Sequence, residues 1–179
     1  MTKLKILTIP NPRLKHKSLE VKSFDKNLSI KIQNMFETLK ASGNGIGLAA
    51  PQVGILQRIV VVDLKENEIS VPITLINPKI LYKSEETFIN EEGCLSVPEY
   101  FAEVTRSKEI EYEWFDEFGR KSIAKANGLL AICIQHEIDH LNGILFIDHL
   151  SALKRKLALE KLRKLRNKNI KEKNIDQNE

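Results

Sequence analysis

The sequence predicts an α+β domain, with short strands gathered around one buried helix and a further helix at the C-terminus. Three observations carry this. A strongly apolar segment with helical periodicity covers 127–141. Short β-branched or alternating runs stand apart from it, at 59–62, 71–76, 87–89 and 103–115. The length of 179 residues suits one domain, able to bury a core without a disulfide scaffold.

Each element has a local reason. Residues 5–9 are apolar, and Pro10 and Pro12 then impose a turn. Leu28, Ile32, Met35, Phe36 and Leu39 recur at helical spacing, so 25–41 is an amphipathic helix that Ser42-Gly43-Asn44-Gly45 ends. Ile59-Val60-Val61-Val62, flanked by polar residues, reads as a buried strand, with short strands following at 71–76 and 87–89. Over 103–115, Ile110, Tyr112 and Trp114 alternate with Glu109, Glu111 and Glu113, which predicts one half-buried strand. Gly119 in a turn and Ile123 in a return strand make a hairpin. Leu129, Leu130, Ala131, Ile132 and Ile134 leave the 127–141 helix apolar on most sides. Ser151 can cap a last helix with a stripe of Leu153, Leu157, Leu162 and Leu165. No repeat or linker divides the body, so the expected organisation is a domain over 1–150 and a basic helix and tail over 151–179.

Composition narrows the class. With 42% hydrophobic and 29% charged residues the chain matches a soluble globular protein. No apolar run approaches the roughly 20 residues of a membrane helix. The N-terminus is a poor signal peptide, and two cysteines, Cys94 and Cys133, suit a reducing cytoplasm. The net charge of +4 hides an asymmetry: 154–173 holds ten Lys or Arg against Glu160 and Glu172, so the body is slightly acidic. Such a tail is either a solvated helix face or a contact for nucleic acid or a ribonucleoprotein surface. Monomer is the expected state, since the body shows no separate assembly motif.

The chemistry concentrates in Gln135-His136-Glu137-Ile138-Asp139-His140, an H-E-x-x-H motif inside the apolar helix. Residues four apart share a helix face, so His136 and His140 can reach one ion. Glu137, beside His136, can reach a water on that ion. A catalytic metal needs a third ligand and an open position. Cys133 shares roughly the same face, but seven residues at 1.5 Å rise put it about 10 Å from His140 along the helix, which suits a pocket wall better. Glu160 follows His140 at a spacing a metallopeptidase could use, though it sits among Lys156, Lys161, Arg163 and Lys164. Cys94 lies in a polar, glycine-containing turn, Glu91-Glu92-Gly93-Cys94-Leu95-Ser96, able to present a thiolate to a helix elsewhere; it is the favoured candidate. The longer H-E-x-x-H-x-x-G-x-x-H pattern fails, because Phe146 stands at its last ligand position.

A third segment is Gly45-Ile46-Gly47-Leu48-Ala49-Ala50-Pro51-Gln52. It has neither the third glycine of a dinucleotide fingerprint nor the Lys-Ser/Thr of a phosphate loop. Its small residues permit close approach, and Gln52 offers an amide able to donate to a developing oxyanion.

Together the three blocks resemble the peptide deformylase family, whose motifs are G-x-G-L-A-A-x-Q, E-G-C-L-S and Q-H-E-x-D-H. The resemblance spans roughly 4–165. It implies antiparallel sheets packed around the central motif helix. It also implies a metal held by Cys94, His136 and His140: Fe²⁺ in bacterial members, with Zn²⁺, Ni²⁺ or Co²⁺ able to take its place. The implied reaction removes the N-formyl group from the N-terminal methionine of nascent polypeptides. Glu137 would move the proton, and Gln52 with the Leu95 backbone N–H would stabilise the oxyanion. Glu92 would pair with Arg106 and hold the Cys94 loop, and Asp139 would sit behind the ligands or anchor the helix. Ile46, Leu129, Ile132 and Cys133 would form the methionine pocket, with Gly45 binding peptide main chain. Pro98-Glu99-Tyr100-Phe101 departs from members with glycine after the proline, which bears on the rim of the cleft. Some bacterial relatives use a C-terminal helix near the ribosomal exit, so ribosome contact is an expectation for the tail. The rival readings are a metallopeptidase using Glu160 and a non-enzymatic ribosome or RNA binder that needs the tail but no metal.

Overall fold

The structure is a computed structural model and describes residues 2–66 and 69–176. Five antiparallel strands form the main sheet in the order β1 (Gly47–Ala49), β2 (Ile59–Glu66), β3 (Ile69–Lys83), β6 (Glu109–Phe115) and β7 (Lys121–Asn127). β4 (Thr87–Cys94) and β5 (Val97–Ser107) pair separately as a two-stranded sheet. Three α-helices complete the order: α1 (Lys26–Ala41), α2 (Gly128–Leu141) and α3 (Ala152–Asp176).

β2 explains why its sequence is apolar without alternation. Val60 and Val62 pack with Ala131, Ile134, Ile138 and Leu141 of α2. Ile59 and Val61, on the opposite face, pack with Leu28, Ile32, Met35 and Leu39 of α1. The main sheet therefore has a helix on each side, and all four residues are fully buried. A third core joins the rest. Val97 and Val104 of β5, Leu14, Leu145, Phe146 and Ile147 receive Ala158 and Leu162 from α3.

Three expectations need correction. The single strand over 103–115 is two strands in different sheets, parted at Lys108, whose N–H donates to the Glu86 carbonyl at 2.9 Å. Both halves stay extended, so side-chain alternation carries no mark of the crossing. The strand expected at 71–76 continues to Lys83, because register shifts absorb Asn77-Pro78 inside the ladder. On α3, Leu153 and Leu157 are exposed, while Ala158 and Leu162 dock and Leu165 is half-buried. The docking face is thus rotated from the expected leucine stripe. The structure is described only to Asp176, so the end of the tail lies outside it.

Candidate metal centre

α2 carries His136, Glu137 and His140 inward because the same helix buries Ala131, Ile134, Ile138 and Leu141 in the core. Gln135 helps to place it: its amide donates to the Ser107 and Ala131 carbonyls at 2.9 and 3.0 Å, and its oxygen accepts from Ser107 N–H. The third ligand candidate arrives from far away in sequence. β4 ends at Cys94, and the turn back to Val97 sets Cys94 Sγ 3.2 Å from His140 Nε2. The ligand atoms of Cys94, His136 and His140 all lie within 4.8 Å of one another. Donors bind a transition metal at about 2.0–2.3 Å, so one cation could draw these three together. Among the described residues this is the group of His, Cys and carboxylate side chains that converges in this way. Glu160 takes no part in it: it lies exposed on α3.

Electrostatics suit a cation. Burial opposes the imidazolium form of His136, but the Cys94 sulfur and the Glu92 carboxylate outweigh it and raise the pKa. Burial and the charge of His136 push His140 well below its ordinary value, which favours the neutral, ligating form. Burial pushes Glu137 up to about 7. Its Oε2 is buried without a hydrogen-bond partner. A thiolate, two imidazoles and a nearby carboxylate with a spare oxygen therefore fit a bound divalent transition metal and its water.

Behind the ligands, Glu92 Oε2 accepts from His136 Nδ1 at 2.8 Å. Arg106 donates to both Glu92 oxygens, at 2.7 and 3.0 Å, and to Asp139 Oδ2 at 2.5 Å. Burial alone would raise the Glu92 carboxyl; hydrogen bonds from His136 and Arg106 outweigh it and hold it at about 2. A carboxylate on the outer nitrogen of a ligating histidine sets the tautomer and aims the other nitrogen at the ion.

Gln52 is equally constrained. Its Oε1 accepts from Ala49 N–H at 2.8 Å. That leaves its NH₂ to donate to Ser96 Oγ at 3.2 Å and towards Cys94 Sγ at 3.5 Å. The N-terminal segment straps both partners, since Leu7 N–H donates to the Gln52 carbonyl and Ile9 N–H to the Ser96 carbonyl.

These groups open on one cleft of 400 Å³. Gly45, Ile46, Leu95, Leu129, Ile132 and Cys133 line it with Gln52, Glu92, Cys94, His136 and Glu137. Leu129 and Ile46 are exposed at its mouth, while Ile132 and Cys133 are buried in its wall. His140 is fully buried, and Arg106 and Asp139 lie behind the wall. The sequence assigns no role to four neighbours, Ser96, Gln135, Phe146 and His149, whereas Tyr100 and Phe101, expected at the rim, do line the cleft. Ser96 and Gln135 did stand inside quoted motifs, which was the available signal.

A half-buried cysteine converging on two buried histidines, with a carboxylate beside them and an apolar cleft in front, defines a metallohydrolase. Comparison with known proteins narrows the class. Residues 3–156 match the family model described as polypeptide deformylase. The peptide deformylase of Rhizorhabdus wittichii is 50% identical over 167 residues, covering 90% of this chain and 94% of that protein. That of Zymomonas mobilis is 48% identical over 171 residues, covering 93% and 96%. The crystal structure of the Ehrlichia chaffeensis peptide deformylase in complex with actinonin superposes with a TM-score of 0.87 at 44% identity, covering 92% of this chain and 98% of that one. The chain belongs to the polypeptide deformylase family.

Proposed function

We propose that this chain removes the N-formyl group from the N-terminal methionine of newly synthesised polypeptides, releasing formate. The observation that carries the reading is the approach of Cys94 to the two helix histidines while Glu137, next to them, keeps an unpartnered buried oxygen. Family membership supports the same substrate.

Cys94, His136 and His140 would hold the ion. A divalent cation there lowers the pKa of water and polarises a carbonyl. Glu137 takes a proton from the attacking water and returns it to the departing amine; a pKa already lifted by burial suits both halves of that transfer. Gln52, oriented by Ala49 and Ser96, donates to the formyl oxygen as charge grows there, together with the Leu95 N–H. Ile46, Leu129, Ile132 and Cys133 take the methionine side chain, and Gly45 meets the peptide main chain. Glu92 and Arg106 keep His136 in its ligating orientation.

The finer assignments are proposals of the same kind: Fe²⁺ as the native ion, a cytoplasmic monomer, and ribosome contact through the basic outer face of α3. No helix among the described residues is long and apolar enough to cross a membrane.

The test is formate release from an N-formyl-methionyl tripeptide by anaerobically prepared, Fe²⁺-loaded protein. The N-acetyl analogue and a longer unmodified peptide serve as controls. Release from the formyl peptide alone supports the reading; metal binding without release overturns it.

A further inference from the structure

The 3-10 turn Phe146–His149 lies between α2 and α3 and touches the metal centre at two points. Phe146 sets its ring 6.1 Å from that of His136, stacked at 24°. At the other end of the turn, the His149 imidazole reaches Asp139, and Nε2–H donates to Oδ2 at 2.7 Å. Arg106 Nη1 donates to that same oxygen at 2.5 Å. Arg106 in turn grips Glu92, and Glu92 accepts from His136 Nδ1. An unbroken series of hydrogen bonds thus joins a half-exposed histidine to a candidate metal ligand. The turn itself is clamped, because Asp148 accepts from Leu145 N–H and pairs with Lys15 and with Arg155 of α3.

We propose that His149 is a positioning residue of the metal centre: by sharing Asp139 Oδ2 with Arg106 it fixes the guanidinium that orients Glu92 and His136. This rests on the metallohydrolase reading of the site. Asp139 is partly exposed, so without His149 its carboxylate gains freedom on the solvent side. Arg106 then loses the fixed end of its bridge, although the Glu92 fork remains. A bland surface ion pair would behave differently. Such pairs add little to folding, and a merely structural one would leave cobalt loss and the cobalt spectrum unchanged.

The test uses the full-length chain loaded with Co²⁺ and the variants His149→Leu and His149→Gln. Residues that bond directly to a ligating histidine typically change metal affinity by about 10–100-fold; His149 stands further back, so about threefold to tenfold faster Co²⁺ loss to a chelator is expected for His149→Leu. The visible cobalt–thiolate spectrum should shift, and kcat should fall with KM unchanged. His149→Gln, whose amide N–H can replace the imidazole N–H, should recover both the loss rate and the spectrum. Because His149 is a surface side chain, both variants should fold, which thermal unfolding of the metal-free forms checks. Wild-type cobalt loss and spectrum in His149→Leu, or a glutamine variant as impaired as leucine, overturns the proposal. Cobalt loss and spectrum need no formyl substrate, so failure here is distinguishable from failure of the deformylase reading.

Discussion

Gly47 lies directly against the Glu137 carboxyl: a Cβ at position 47 would stand 2.5 Å from Glu137 Oε1 and 2.8 Å from Cys133 Sγ. β1 is therefore the lid over the proton-carrying group, and it closes that far only because residue 47 has no side chain. Gly47→Ala should displace Glu137 while leaving the three ligand side chains in place. A misplacement of about 1 Å can cost on the order of 100-fold in rate. The expected outcome is a fall in kcat of that order with metal content retained, read by steady-state kinetics beside elemental analysis of the same preparation.

Glu137→Gln removes the proton acceptor and keeps the shape. Positioned general acid–base groups contribute about 10²–10⁴-fold, so turnover should fall within that range at unchanged metal content. A variant with wild-type turnover would remove Glu137 from its role. The glutamine should also fold well, because burial already disfavours the charged form of the carboxyl it replaces.

Arg106 and Glu92 are both buried and joined by two hydrogen bonds. Removing Arg106 leaves Glu92 a buried charge held only by His136, and losing one partner of a buried pair costs about 3–5 kcal/mol. Arg106→Leu should therefore lower stability by that amount in chemical denaturation and weaken metal retention through His136. The double variant Arg106→Leu/Glu92→Leu should regain much of the stability but not the retention. That split separates the folding part of the pair from its part at the metal centre.

What was legible in the sequence follows from how local each cause is. His136, Glu137 and His140 owe their convergence to one helix, so spacing alone brings them together. Helices α1 and α2 were readable because each buries a periodic face. Gln52 and Ser96 meet across 44 residues, and His149 reaches Asp139 only because the chain turns back after Gly143. Contacts of that kind depend on tertiary placement, which no residue pattern encodes. The break at Lys108 left no trace for the same reason: the change is in the pairing partner, not in the strand. The α3 leucines offered two adjacent faces, and periodicity could not choose which one docks.

Asp148 ties three segments together, taking Lys15, Arg155 and the Leu145 N–H. Burial would raise its pKa, but these partners outweigh that and lower it. A depressed carboxyl stabilises the fold above its unfolded value, about 3.9, and loses that contribution as pH falls through the folded value. The difference in thermal midpoint between wild type and Asp148→Asn should therefore be steady from pH 6 to 8 and shrink below about pH 4. A difference that grew on acidification would contradict the sign.

Leu162 and Leu157 sit on the same helix and make opposite predictions. Leu162 is 7% exposed and packs in the cluster that includes Val97, Val104 and Phe146; Leu157 is 54% exposed. Truncating a buried leucine costs about 2–5 kcal/mol, whereas a surface change usually stays within about 0.5 kcal/mol. Leu162→Ala should fall towards the lower end of that range, because it lies at the edge of its cluster, and Leu157→Ala should be close to neutral. The pair also bears on the metal centre. Leu162 packs in the same cluster as Phe146, and Phe146 stacks on His136, so loosening α3 should reach the ligands by packing. Leu162→Ala should then lose Co²⁺ to a chelator faster than Leu157→Ala does. Equal loss rates despite unequal stability would mean that α3 steadies the fold without steadying the ion site.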